Sequence, residues 1–207
     1  MSKKILVIGD YEAKWHPLTG VDKQLERILS GYDVKCTADY TNITADELKG
    51  YDILICYLDA WGSNGTQKTA GAILSYVAGG GSLLSIHSGI IMKNTPEMEL
   101  MQGARFTGHP EACELTYTPT ESKHPILNGI DPFMIFDEPY RFQMAGLVEP
   151  EMILTYAHED KTWDAAWVLP YGMGNVVYLS MGHSAKSFDS ETFGKLIVNS
   201  ADWLTSK

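Results

Sequence analysis

Three short apolar runs, each breaking off at a polar residue, constrain this chain more than any other feature. Lys4 to Ile8 ends at Gly9-Asp10, Tyr51 to Leu58 ends at Asp59, and Ser82 to Ile86 ends at His87. Runs of this length without polar alternation are read as strands buried on both faces, which is the signature of a parallel sheet covered by helices. Helical patterns fall between them. Val21, Leu25, Ile28 and Leu29 recur at helical spacing before Gly31, and a helix from about Thr66 to Ala78 stops at Gly79-Gly80-Gly81. Tyr32 to Ala38 reads as a further strand, and Thr44 with Glu47 forms a capping-box pair for a short helix. Strands alternating with helices predict an α/β fold with a mainly parallel central sheet.

The regularity weakens after His87. A helical stretch lies around Met98 to Met101, with Arg105 to Pro110 and a strand-like Cys113 to Thr118 after it. Met152 to Tyr156 reads as a strand, Ala165 to Leu169 and Val176 to Met181 read as a hairpin around Tyr171 to Gly174, and Glu191 to Thr205 as a closing amphipathic helix. No repeat, low-complexity tract or linker interrupts the 207 residues, so one domain over 1–207 is expected.

Composition excludes several classes of partner. The formal charge is −10, carried by dispersed carboxylates, which argues against a nucleic-acid ligand. The apolar run after MSKK is too short for a signal-peptide core or for the roughly 20 residues that span a bilayer. Cys36, Cys56 and Cys113 are odd in number and widely spaced, so no disulfide framework is expected and a cytoplasmic location fits.

In open parallel sheets, ligands bind beyond the carboxyl ends of the strands. Asp10, Asp59, His87 and His183 each come just after a predicted strand, so four separate segments point to one rim. The most specific stretch is residues 79–89, GGGSLLSIHSG. Ser85-Ile86-His87-Ser88-Gly89 has the small residues, two before and two after the centre, that a nucleophile elbow requires, with His87 in the centre. An elbow would present the imidazole beside a helix N-terminus, whose positive end favours the neutral ring. A loop histidine bonded to backbone is the simpler alternative. His109 and His124 each precede proline and read equally well as turn residues. Asp137 and Glu138 are adjacent, so in extended backbone only one of them should enter a pocket. Trp15, Trp61, Tyr140 and Trp163 are candidates for stacking on a ligand, with core packing favoured for Trp163.

Several ordered segments together resemble the trehalose-utilisation (ThuA-like) family of the class I glutamine-amidotransferase-like superfamily. They are the glycine-rich turn and strand ending in His87, Gly108-His109-Pro110, His124-Pro125-Ile126 with Gly129, Asp137-Glu138-Pro139-Tyr140, and Gly172-Met173-Gly174 leading to Gly182-His183; His16 fits as well. The resemblance implies a flavodoxin-like three-layer sandwich and a polar pocket serving disaccharide or keto-sugar metabolism. The amidotransferase relatives carry an elbow cysteine, which His87 replaces here, so glutamine hydrolysis through a thiolate is not expected.

The expectation is therefore an enzyme of the sugar isomerase or hydrolase type. His87, His183 and Glu138 would be its catalytic residues, and Asp10, His16, Asp59, Trp61, His109, Asp137 and Tyr140 would contact substrate. No cofactor motif is evident. A divalent metal such as zinc, if bound, would take His87, His183 and Glu138. Two other readings stand beside this one: a non-catalytic sugar-binding or regulatory domain working with an oxidoreductase partner, and a serine hydrolase using Ser88. The loops after residue 90 could form a lid or a homo-oligomer contact.

Overall fold

The computed structural model describes residues 2–59, 66–92 and 95–206. Its centre is a nine-stranded mixed sheet, and the carboxyl ends of its parallel half carry the site. The parallel strands are β1 (Lys4–Gly9), β2 (Asp33–Thr37), β3 (Ile53–Tyr57), β4 (Ser82–Ile86) and β11 (Gly174–Leu179), in the order β2-β1-β3-β4-β11. Strand β11 returns beside β4, with Val177 opposite Leu84.

Beyond β11 the sheet continues antiparallel through β10 (Lys161–Tyr171), β9 (Glu151–His158), β6 (Cys113–Pro119) and β7 (Phe133–Asp137). The β10–β11 hairpin turns where Tyr171 to Gly174 predict it. A separate two-stranded ribbon pairs β5 (Ala104–Gly108) with β8 (Arg141–Met144).

Because alternate strand residues face opposite sides, the parallel strands feed two cores. Ile5, Val7, Ile53, Ile55, Leu84 and Val177 pack under α1 (Val21–Ile28) and α5 (Glu191–Leu204). Leu6, Ile8, Leu54, Leu83 and Val176 pack under α2 (Ala45–Leu48), α3 (Thr66–Ala78) and α4 (Pro96–Gln102). This is the expected three-layer, flavodoxin-like α/β sandwich. The capping box of α2 is present, with the Thr44 side chain accepting from the Glu47 amide and the Glu47 carboxylate accepting from the Thr44 amide.

Strands β7 and β8 have no counterpart among the predicted elements, and β5 falls where Arg105 to Pro110 reads as irregular. In β7 the sequence FMIFD is apolar on both faces, with Phe133 and Ile135 buried and Met134 and Phe136 exposed. The polar-apolar alternation that identifies a half-buried strand is missing. Among the described residues no helix is long and apolar enough to cross a membrane.

Candidate functional site

The β4 strand delivers His87 in the left-handed region, φ 46°, where a non-glycine residue is strained. The elbow expected from the small-residue spacing is thus formed, and the neighbours explain that spacing. A Cβ at Gly89 would collide with the Cys56 carbonyl and the Ser85 hydroxyl, and Ser85 Oγ donates to Gln102 Oε1 at 2.7 Å. The element after the elbow differs from the expected helix. Residues His87–Ile91 form a single 3-10 turn, not an α-helix, so no long helix dipole acts on the imidazole.

Both nitrogens of the buried His87 ring are engaged. Nδ1–H donates to the Ser180 carbonyl at 2.6 Å, and Nε2 faces Glu138 Oε2 at 3.2 Å. Burial pulls the imidazole below its ordinary pKa, against the opposing pull of Glu138 and Asp137. The neutral form expected for this ring therefore has desolvation as its cause.

Glu138 is the hub. Its Oε2 lies 3.2 Å from His87 Nε2, 3.2 Å from His183 Nδ1, 3.6 Å from His16 Nε2 and 3.7 Å from His109 Nε2. Burial alone would raise this carboxyl, but the surrounding imidazoles of His16, His183 and His87 hold it far below the usual carboxylate range. Pro139 sits at the centre of a tight turn closed by the Tyr140 amide on the Glu138 carbonyl at 2.8 Å. That turn aims the Glu138 side chain inward and brings Tyr140 back over His87, ring centroids 4.1 Å apart.

His16 comes from the loop after β1. Asp10 folds that loop, accepting the Glu12 amide on its side chain and the Leu18 amide on its carbonyl, both at 2.8 Å. His16 is buried, with Nδ1 2.9 Å from Asp59 Oδ2 at the end of β3 and Nε2 3.4 Å from the Tyr140 hydroxyl. Burial depresses the His16 pKa, but Asp59 and Glu138 outweigh it and leave the ring raised.

His183 comes after β11 on a clamped loop. Asp137 accepts the amides of Gly182 (2.8 Å) and His183 (3.2 Å), while the Tyr57 hydroxyl donates to the Gly182 carbonyl at 2.8 Å. His183 Nδ1 is buried and, although 3.2 Å from Glu138 Oε2, lacks the alignment for a hydrogen bond.

The structure thus gathers His87, His183, Glu138, His16, Asp59, His109 and Tyr140 at one place. Asp137 is fully buried and acts on backbone amides, with Oδ1 3.7 Å from His87 Nδ1. Of the two adjacent acids only Glu138 lines the cavity; Asp137 lies behind it, spent on backbone amides and out of reach of a substrate. Asp10 shapes the rim loop that carries His16. Trp61 lies outside the described residues. His124 is remote, capping a short turn and packing edge-on against Trp203. Trp163 lies under the Arg141 guanidinium at 3.6 Å, packed against the core. Ser88 is fully buried, and its hydroxyl has no hydrogen-bond partner among the described residues.

Three supports carry no signal that sequence reasoning could have used: Tyr57, the Ser180 carbonyl and Phe106. Tyr57 lies in a run that reads locally as a buried strand, Phe106 in the irregular segment Arg105 to Pro110 where nothing singles it out, and a backbone carbonyl has no sequence signature. The cluster opens into a cavity of about 330 Å3 lined by Trp15, His16, Ile91, Phe106, His109, Glu138 and Tyr140.

Known proteins share this architecture. The chain resembles PurLQS from Thermotoga maritima, of class I glutamine-amidotransferase-like fold, at 16% identity, with 99% of this chain and 100% of that one covered and a TM-score of 0.65. It is also similar to a ThuA-like protein from Bacteroides uniformis (19% identity, 99% and 92% covered, TM-score 0.79). A second ThuA-like protein, from Parabacteroides merdae, matches at 17% identity (99% and 90% covered, TM-score 0.80). No curated protein sequence matches. The family model for trehalose utilisation matches residues 4–204, and the chain belongs to the ThuA family.

Proposed function

We propose that this protein processes a disaccharide or its keto derivative in carbohydrate metabolism, by chemistry at a carbonyl or the carbon beside it. The observation that carries the reading is the Glu138 carboxylate ringed by four imidazoles at 3.2–3.7 Å, at the inner end of the cavity. Its volume of about 330 Å3 is at the small end of ligand pockets, which run from about 300 to 1,000 Å3. Trp15, Ile91 and Phe106 supply apolar surface for the faces of a sugar ring, and the polar cluster meets its oxygens. His87 serves as general base or metal ligand with His183 as its partner, Glu138 orients the substrate or completes a metal site, and exposed His109 meets the substrate at the cavity wall.

The test is incubation of the purified protein with trehalose, related disaccharides and their keto forms, with product analysis and calorimetry, repeated on a His87→Ala, His183→Ala double variant. Turnover that falls by about 10²-fold or more in the variant supports the reading; unchanged turnover overturns it. Sugar binding without product from any substrate would favour a binding module serving an oxidoreductase partner.

A further inference from the structure

We propose that His16, His87, His183 and Glu138 bind a single divalent first-row transition cation, with zinc the best chemical match. This deepens the reading of the same pocket, yet it stands on the hydrogen bonds within the cluster and not on any sugar.

The Ser180 carbonyl can only accept, so it fixes the proton of His87 on Nδ1 and leaves a lone pair on Nε2 in the neutral ring. Asp59 accepts the Nδ1–H of His16 in the same way, so that in the neutral ring the Nε2 lone pair faces inward. His183 directs into the cluster a buried Nδ1 that has no hydrogen-bond partner among the described residues. Glu138 Oε2 is itself an acceptor. Four candidate ligand atoms therefore converge, one of them a carboxylate oxygen, all within 4.8 Å of one another. Among the described residues every ion-pair partner of Glu138 is a histidine, and no lysine or arginine balances it.

A cation at the centre would take all four as ligands. With metal–ligand distances of about 2.0–2.1 Å, neighbouring ligand atoms in a tetrahedron stand about 3.3 Å apart. The separations of 3.2, 3.2 and 3.6 Å from Oε2 to the three nitrogens lie near that spacing, and the group, within 4.8 Å overall, would contract on binding. Three imidazoles and one carboxylate suit zinc better than magnesium or calcium, which favour all-oxygen shells. The outer contacts are also those of a metal site: a carboxylate on one ligating histidine and a backbone carbonyl on another, which set the tautomer that leaves the inner nitrogen free. Such a cation would supply Lewis-acid polarisation of a carbonyl oxygen entering from the cavity.

His16 is the discriminating residue, because the sequence places it 71 positions before His87, in a loop with no metal-ligand spacing. The experiment is titration of chelator-stripped protein with zinc alone against a chromophoric competitor, with cobalt(II) as a spectroscopic probe. One equivalent should bind, with visible cobalt bands of tetrahedral intensity. The His16→Ala and Glu138→Gln variants should each bind on the order of 100-fold more weakly. Less than one equivalent at micromolar free zinc, or His16→Ala binding as tightly as the parent, would overturn the site. Should His16→Ala fail to fold, Asp59→Asn replaces it: affinity lower by about 10- to 100-fold supports the site, and unchanged affinity overturns it. No sugar is present, so stoichiometric zinc with no sugar turnover would sink the functional reading alone.

Discussion

Asp137 accepts the backbone amide of Gly182 at 2.8 Å, although its strand, β7, lies four places from β11 along the sheet. The far edge of the sheet thus returns to brace the loop that carries His183. The same carboxylate accepts the amides of His183 and Glu138, so one buried acid positions two members of the cluster. Asp137→Ala would leave three amides without their acceptor. Buried unpaired donors cost about 1–3 kcal/mol each, partly relieved by relaxation. A loss of about 3 kcal/mol is expected, read as a lower urea midpoint at unchanged slope.

The strain at His87 should be measurable apart from its chemistry. At φ 46° any L side chain pays for the left-handed backbone, and glycine does not. His87→Gly should therefore be about 1 kcal/mol more stable than His87→Ala, both variants having lost the imidazole. Equal midpoints for the two would refute the strain.

Gly89 has an ordinary backbone but no room. Its missing Cβ is where the Cys56 carbonyl and Ser85 hydroxyl already lie. Gly89→Ala must shift β3 or the elbow turn and should cost about 3 kcal/mol or more. Thermal unfolding of this variant, compared with Gly71→Ala on α3, where nothing crowds the added methyl, checks the contrast.

A pH effect remote from the site is expected at His124. Burial lowers its pKa, Glu151 opposing, and its Nδ1 accepts the Ile126 amide at 3.4 Å. The folded state resists protonation, while the unfolded chain takes up a proton near the ordinary value of about 6.5. The stability this gives is complete above that value and is lost as pH falls through the lower folded pKa. The stability difference between the parent and His124→Gln should shrink from pH 7 to pH 5; urea titrations showing a constant difference would exclude it.

The elements most legible in the sequence are those whose signals are local. Lys4–Gly9, Ile53–Tyr57 and Ser82–Ile86 are buried on both faces, and an uninterrupted apolar run states this directly. The elbow at His87 could be anticipated because its small-residue spacing is a local pattern, although the closest obstacle to a Cβ at Gly89 is the Cys56 carbonyl of β3. Strand β7 escaped because Met134 and Phe136 are apolar on its exposed face.

By itself, the sequence determined the α/β class, the rim at the strand ends and the candidacy of His87 and His183, since strand burial, turn sterics and residue chemistry are properties of short segments; the family resemblance is what favoured Glu138 over Asp137. Only the tertiary structure decided that His16 joins those three, that Asp59 and Ser180 set the tautomers of two rings, and that Asp137 works from behind. Those relations depend on strand order: β1, β3, β4 and β11 lie side by side, and β7 returns from the far edge. Which distant loops become neighbours is set by how the two faces of the sheet bury their apolar side chains together, and no local pattern encodes it.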